Sequence, residues 1–259
     1  MSLLQAHNLT KIYGKVQGGV AYRALNQLNL TIEKGEFVAI MGPSGSGKTT
    51  LLQLLGTIDR ATSGEIWING KNVSLMKQSQ LADFRRRYLG FIFQDFQLLD
   101  ALTLKENIIL PLVLEKRSLS EIENRLTELA ERLGITQVLH HRPYEVSGGQ
   151  KQRAAAARAL IHQPSLILAD EPTGNLDSKS AKSLMESIAQ LNKQEQVTIC
   201  MVTHDPVTAS YCDRVIFIKD GRLYNEIHRG ETREVFFEKV MHVTMALGGE
   251  KDDLSFHRL

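Results

Sequence analysis

The sequence is poor in cysteine, in charge of one sign and in long apolar runs. Its two cysteines, Cys200 in TICMVTH and Cys212 in SYCDR, belong to no paired-cysteine spacing. That excludes a thiolate metal site and leaves both thiols as small buried apolar groups. Basic and acidic residues number 31 and 29, a formal charge of +2, so the uniformly basic surface of a nucleic-acid binder is missing and no nucleic-acid partner is expected. The longest apolar stretches, such as IILPLVL at 108–114, fall far short of the ~20 residues of a membrane-crossing helix. MSLLQAHNLTKIYG at the start has no basic flank, apolar core and cleavage site of a secretory signal, which predicts a cytosolic chain with reduced thiols. His140 and His141 lack a second ligand pair and read as a solvated loop before Pro143. No internal repeat or low-complexity tract occurs, so any site is present once.

What is there is an alternation. Apolar runs rich in β-branched and aromatic residues, FVAIM (37–41), EIWI (65–68), LGFIF (89–93), LILAD (166–170), TICMVTH (198–204) and RVIFIKDG (214–221), are strand candidates. Helical patterns such as TTLLQLLGTI and SAKSLMESIAQL lie between several of them, the order of an α/β protein with a mainly parallel sheet covered on both faces. Ahead of Phe37 the chain alternates apolar and polar residues like an antiparallel sheet. SLSEIENRLTELAERLGI has helical spacing and no strand interrupts the stretch, which predicts an inserted helical subdomain over about 96–160. A principal domain over 1–230 is expected, with a short C-terminal helix, VFFEKVMHVTMAL, and tail over 231–259.

GPSGSGKTT follows the strand FVAIM and precedes a helix, the setting in which such a turn cradles phosphates. Gly42, Pro43, Ser44, Gly45, Ser46 and Gly47 let backbone N–H groups converge, Lys48 reaches the β and γ oxygens, Thr49 coordinates Mg2+, and Thr50 continues into the helix. The strand LILAD ends in Asp170, followed by Glu171: Asp170 is expected on the metal, directly or through its water, and Glu171, pointing differently because strand side chains alternate, polarises the attacking water. Gln94 after LGFIF can offer an amide oxygen to the metal or hold the water, and His204 after TICMVT can donate to the γ phosphate. Tyr13 offers a face for stacking on a purine.

VSGGQ at 146–150 is a second phosphate-facing turn. Ser147 is a natural N-cap, Gly148 and Gly149 leave N–H groups uncovered, and Gln150 opens a helix whose free end favours an anion. It can serve either the chain's own nucleotide or that of another copy.

Tyr13, GPSGSGKT, Gln94, VSGGQ, LILADE, NLD (175–177) and His204, in that order along nearly the whole chain, resemble the ATPase subunits of ATP-binding cassette transporters. Val146 stands where that family more often has leucine, an apolar exchange expected to be harmless. The resemblance implies a P-loop NTPase core with an N-terminal antiparallel β subdomain, ATP with Mg2+, and a second copy whose SGGQ turn closes the site head to tail. It also implies a role for Asp177 in coupling the two sites. FQDFQLLDALTLKENIILPL and DEPTGNLDS are similar to the lipoprotein-release and macrolide-export branch. THDPVTASYCDRVIFIKDGRLY followed by VFFEKVM is similar to ATPases of bacitracin-type peptide resistance, with a separate permease and often a sensor kinase. A peripheral place on the cytoplasmic face of the membrane follows, with DFQLLDALTL forming a groove for a short permease helix and Phe96, Leu98 and Leu99 as its exposed apolar anchors, Leu98 and Leu99 alternatively packing within the helical subdomain. A soluble cassette ATPase lacks a matching feature here, since the chain has neither a long coiled-coil insertion nor a second cassette, and a P-loop kinase or GTPase would leave SGGQ and His204 without work.

Overall fold

The computed structural model describes residues 1–14, 21–230 and 232–248. The chain divides into two compact units, one formed by Met1–Glu33, Phe37–Leu75 and the chain from Val202 onward, the other by Lys34–Glu36 and Met76–Met201.

The first unit begins with β1 (Ser2–Tyr13) and β2 (Tyr22–Glu33), which pair antiparallel with Leu4 opposite Ile32 and Tyr13 opposite Tyr22. β3 (Phe37–Met41) is buried at all five positions, as a strand covered on both faces must be. α1 (Lys48–Leu55) buries Leu51, Leu52, Leu54 and Leu55, each contributing about 1.5–3 kcal/mol. β4 (Ser63–Ile68) and β5 (Lys71–Asn72) complete an antiparallel sheet of order β2-β1-β4-β5. EIWI therefore joins the antiparallel sheet, because Ile66 and Ile68 face the same side as Ala6 and Leu4, their partners on β1.

The second unit opens with α2 (Gln78–Tyr88), which buries only Leu81 and Phe84, and runs directly into β6 (Leu89–Phe93). Three helices follow over the stretch where helical spacing dominates: α3 (Leu104–Leu114), α4 (Leu119–Arg132) and α5 (Gly148–Leu160). Thr103 with Glu106 and Ser118 with Glu121 start α3 and α4 as capping boxes, each side chain meeting the other's backbone N–H. Ile122, Leu126 and Leu129 form the buried stripe of α4. β7 (Leu166–Asp170), α6 (Ser178–Glu195) and β8 (Thr198–Val202) close the unit. β6 and β7 are parallel, and their last rung sets Phe93 opposite Asp170.

Back in the first unit, α7 (Pro206–Ala209) leads to β9 (Arg214–Lys219), parallel to β3, and to β10 (Arg222–His228), antiparallel to β9. Asp220 and Gly221, at φ +51° and +71°, form the β9–β10 turn, the left-handed pair favoured in two-residue hairpins. α8 (Arg233–Gly248) buries Phe236 and Val240 completely. Among the described residues no helix is long and apolar enough to cross a membrane.

Candidate functional site: a nucleotide site in two parts

In the first unit, the turn after β3 is shaped by glycine. Gly42 and Gly47 hold φ of +152° and +102°, and a Cβ at either would strike the carbonyl oxygen of Ile218 or Ala24. Gly47 caps α1 without a side-chain bond, and no acidic residue occupies the first turn, so the helix N-terminus keeps its N–H groups and its positive partial charge for an anion. Lys48 Nζ lies over its own loop, donating to the carbonyls of Gly42 and Pro43 at 2.8 and 2.9 Å. Ser46 is buried and its N–H donates to the Pro43 carbonyl at 3.2 Å, whereas Thr49 is exposed.

Tyr13 ends β1 with its hydroxyl donating to Asp59 Oδ2 at 3.0 Å, and Lys11 Nζ lies 4.7 Å from the ring centroid while pairing with the same carboxylate at 2.8 Å. Burial opposes ionisation of Asp59, but the bonds from Lys11, the Arg60 N–H and Tyr13 outweigh it and hold the carboxyl below its ordinary range. His204 is exposed two residues beyond β8, on a turn in which the Asp205 N–H donates to Thr203 Oγ1 at 3.1 Å and Asp205 caps α7.

In the second unit, Gln94 and Glu171 each stand one residue past the paired ends of β6 and β7. Alternation along a strand does not aim Glu171: its φ is +46°, and its carbonyl accepts the Gly174 N–H at 3.0 Å, so a tight turn redirects the side chain away from the course of Asp170. Ser147 caps α5, accepting from the Gln150 N–H at 3.3 Å while Gln150 Oε1 accepts from the Ser147 N–H at 2.9 Å. The oxygen of Gln150 is thus committed to the turn. Gly149 passes close to Ser180, whose Oγ lies 2.9 Å from where a Cβ would stand. Asp177 caps α6, taking the N–H groups of Lys179 and Ser180 at 3.0 Å each and the Ser180 hydroxyl at 2.6 Å.

Comparison with known proteins identifies the family. The family model described as "ABC transporter" covers residues 25–174. The chain belongs to the ABC transporter family. It is an ATP-binding subunit of that family and an ATPase. ABC transporter ATP-binding protein YxdL of Bacillus subtilis is 58% identical over 100% of this chain and 99% of its own length. Bacitracin export ATP-binding protein BceA of Halalkalibacterium halodurans is 51% identical over 98% of this chain and 100% of its own. The dimeric, post-hydrolysis structure of the ATP-binding cassette MJ0796 with ADP and Pi superposes with a TM-score of 0.80 at 40% identity, covering 88% of this chain and 100% of that one. The fold is the ABC ATPase fold, with its antiparallel N-terminal sheet and parallel core.

Within this ABC subunit the segment after Gln94 departs from the expected row of exposed anchors. Leu99 is exposed, but Phe96 and Leu98 are half-buried, and Phe96 lies against the start of α5, its ring 3.8 Å from where a Gly148 Cβ would be. Arg158 donates to the Phe96 carbonyl at 3.0 Å, and its burial lowers the guanidinium pKa. Asn107, fully buried, accepts from the Leu99 N–H at 2.7 Å and donates to the carbonyls of Leu99 and Thr103 at 3.0 Å each, which fixes the following loop. A groove of about 330 Å³ in the same unit is lined by Phe91, Phe93, Leu110 and Leu114 together with Arg85, Arg86 and Arg158.

Four residues around the site escape a reading by motif: Lys11 and Asp59, which hold Tyr13, and Asn175 and Gln152, which reach the ends of β6 and β7. Asn175 belongs to NLD, but nothing in that triplet says which side chain faces Gln94.

Proposed function

We propose that this ATPase drives a transporter whose permease is a separate polypeptide and whose cargo is a peptide antibiotic of the bacitracin kind. The end-to-end match with the bacitracin export ATP-binding protein, 51% identical with its full length covered, carries this reading. The chain works from the cytoplasmic face of the membrane, held there by the permease, and the groove lined by Phe91, Phe93, Leu110 and Leu114 receives a short permease helix, with Leu99 exposed nearby in sequence.

On this reading Gly42 to Thr50 wrap the ATP phosphates, Lys48 leaves its own carbonyls for the β and γ oxygens, and Tyr13 stacks on the base. Thr49, Gln94 and Asp170 are oxygen donors, and among the described residues no cluster of three or more His, Cys, Asp or Glu could hold a metal alone. That donor set suits Mg2+, which binds through one or two protein groups together with nucleotide phosphates. Bound there, Mg2+ neutralises charge on the phosphates. Glu171 accepts a proton from the attacking water, and His204 donates to the γ phosphate. Two copies enclose two ATP molecules, the Ser147, Gly148 and Gly149 turn of one against the γ phosphate held by the other, with Asp177 and its turn at the seam. Loss of that phosphate reopens the pair, and this motion works the permease.

Two measurements test the reading. The Glu171→Gln variant should bind ATP without splitting it and should elute as a dimer only with ATP; a permanent monomer would defeat the shared site. The subunit, reconstituted with the permease that co-purifies from membranes, should hydrolyse ATP faster when bacitracin is added. Stimulation by a macrolide or a lipoprotein instead would replace the proposed cargo.

A further inference from the structure

Gln94 is held by a side chain from the turn after β7. Its Nε2 donates to Asn175 Oδ1 at 3.2 Å, and Asn175 Nδ2 donates to the Gln94 carbonyl at 3.1 Å and to Asp95 Oδ1 at 3.0 Å. The residue before it is pinned too, because the Gln152 amide donates to the Phe93 carbonyl at 3.1 Å. An amide side chain has one donating and one accepting end. Two acceptors, the Gln94 carbonyl and the Asp95 carboxylate, therefore dictate which way Asn175 lies, since a flipped amide would set oxygen against both. Asn175 in turn presents only oxygen to the Gln94 side chain, so Nε2 is drawn to it and Oε1 is the atom left for another partner.

Resting on the reading of Gln94 as a cation ligand, we propose that Asn175 is a positioning residue that selects the amide orientation of Gln94 and so presents Oε1 to the cation of the ATP complex. Gly174 is part of the device. A Cβ there would lie 2.9 Å from Gln94 Nε2 and 3.0 Å from its Cδ, so a side chain at this position would push the amide out of its present setting. Orientation passes from Asp95 through Asn175 to Gln94 without any change in backbone, which makes the turn carrying Asn175 a control on metal binding as well as a seam element.

Both side chains are exposed, so their variants fold. The probe is Mn2+, its free signal followed by electron paramagnetic resonance during titration of the full chain carrying Glu171→Gln and saturated with ATP. Asn175→Ala should weaken Mn2+ binding about fivefold, the equivalent of one ordinary hydrogen bond, and Gly174→Ala should weaken it in the same sense. In a Gln94→Glu background the carboxylate has two equal oxygens and no orientation to select, so Asn175→Ala should then change Mn2+ affinity less than about twofold, the signature of coupled residues. An equal loss in both backgrounds, or none in the Gln94 background, overturns the proposal. Unaltered Mn2+ affinity in Gln94→Ala overturns the ligand reading beneath it, a result distinguishable because it does not involve Asn175.

Discussion

The side-chain amide of Gln152 donates to the carbonyl of Pro172 at 2.7 Å, inside the protein, one residue past Glu171. The same nitrogen reaches the Phe93 carbonyl, one residue before Gln94, and Gln152 is fully buried. Gln152→Leu leaves two backbone acceptors without this donor, at about 1–3 kcal/mol each. Its urea midpoint should drop accordingly, and kcat should fall more than the KM for ATP rises, because Gln94 and Glu171 lose their setting while the P-loop does not. An unchanged midpoint would mean that the two carbonyls find other donors.

Lys48 rests on the carbonyls of Gly42 and Pro43 at 2.8 and 2.9 Å, bonds that a phosphate must replace. A charge-assisted bond contributes about 1.5–3 kcal/mol, so Lys48→Ala should weaken ATP binding by about one to two orders of magnitude, as read by a fluorescent nucleotide, and abolish turnover. Full ATPase activity would remove the P-loop from the chemistry.

Ser147 has two duties that two substitutions separate. Ser147→Ala removes the α5 cap and should cost about 1 kcal/mol of stability. Ser147→Asp caps equally well but sets a negative charge where phosphate is expected. It should match the parent in thermal stability and, combined with Glu171→Gln, fail to dimerise with ATP on size exclusion. Normal dimerisation would leave the turn with a capping role only.

Several helix starts store acid sensitivity. The Ser180 hydroxyl, the Ser180 N–H and the Lys179 N–H hold the Asp177 carboxyl below its usual range; the Thr103 N–H and hydroxyl do so for Glu106, and the Ser118 hydroxyl and N–H for Glu121. With folded pKa values depressed, the unfolded chain binds more protons as pH falls. The stabilisation is therefore complete above the ordinary carboxylate pKa near ~4 and is lost as pH falls through it towards the folded values. The thermal midpoint should be level with respect to these groups from pH 7 to about 5 and decline below that. Asp177→Asn, which caps without ionising, should decline less steeply; an identical acid limb would show that the Asp177 carboxylate contributes nothing.

The strands β3, β6 and β7 lie within the very bounds their apolar runs indicate; for β3 and β7 this is because a strand covered on both faces writes its burial into consecutive residues. α2 and β10 are faint for the opposite reason. α2 buries two of its eleven residues, and β10, an edge strand with no fully buried position, has no apolar face to announce it. Motif residues were legible because phosphate chemistry demands particular types at short spacing. Their aim was not: Glu171 turns on a positive φ, and the oxygen of Gln150 is spent on its own cap.

By itself the sequence determined the local chemistry of this protein: the glycine turn before α1, the cap before α5, the carboxylates at the end of β7 and the family to which they belong. Those features depend on neighbours within a few residues. Only the tertiary structure decided that Asn175 meets Gln94 across 81 positions of chain and that Gln152 bonds Phe93 and Pro172 across 59 and 20. Hydrogen bonds over such separations are set by which strand ends the sheet brings side by side, and no spacing along the chain records that.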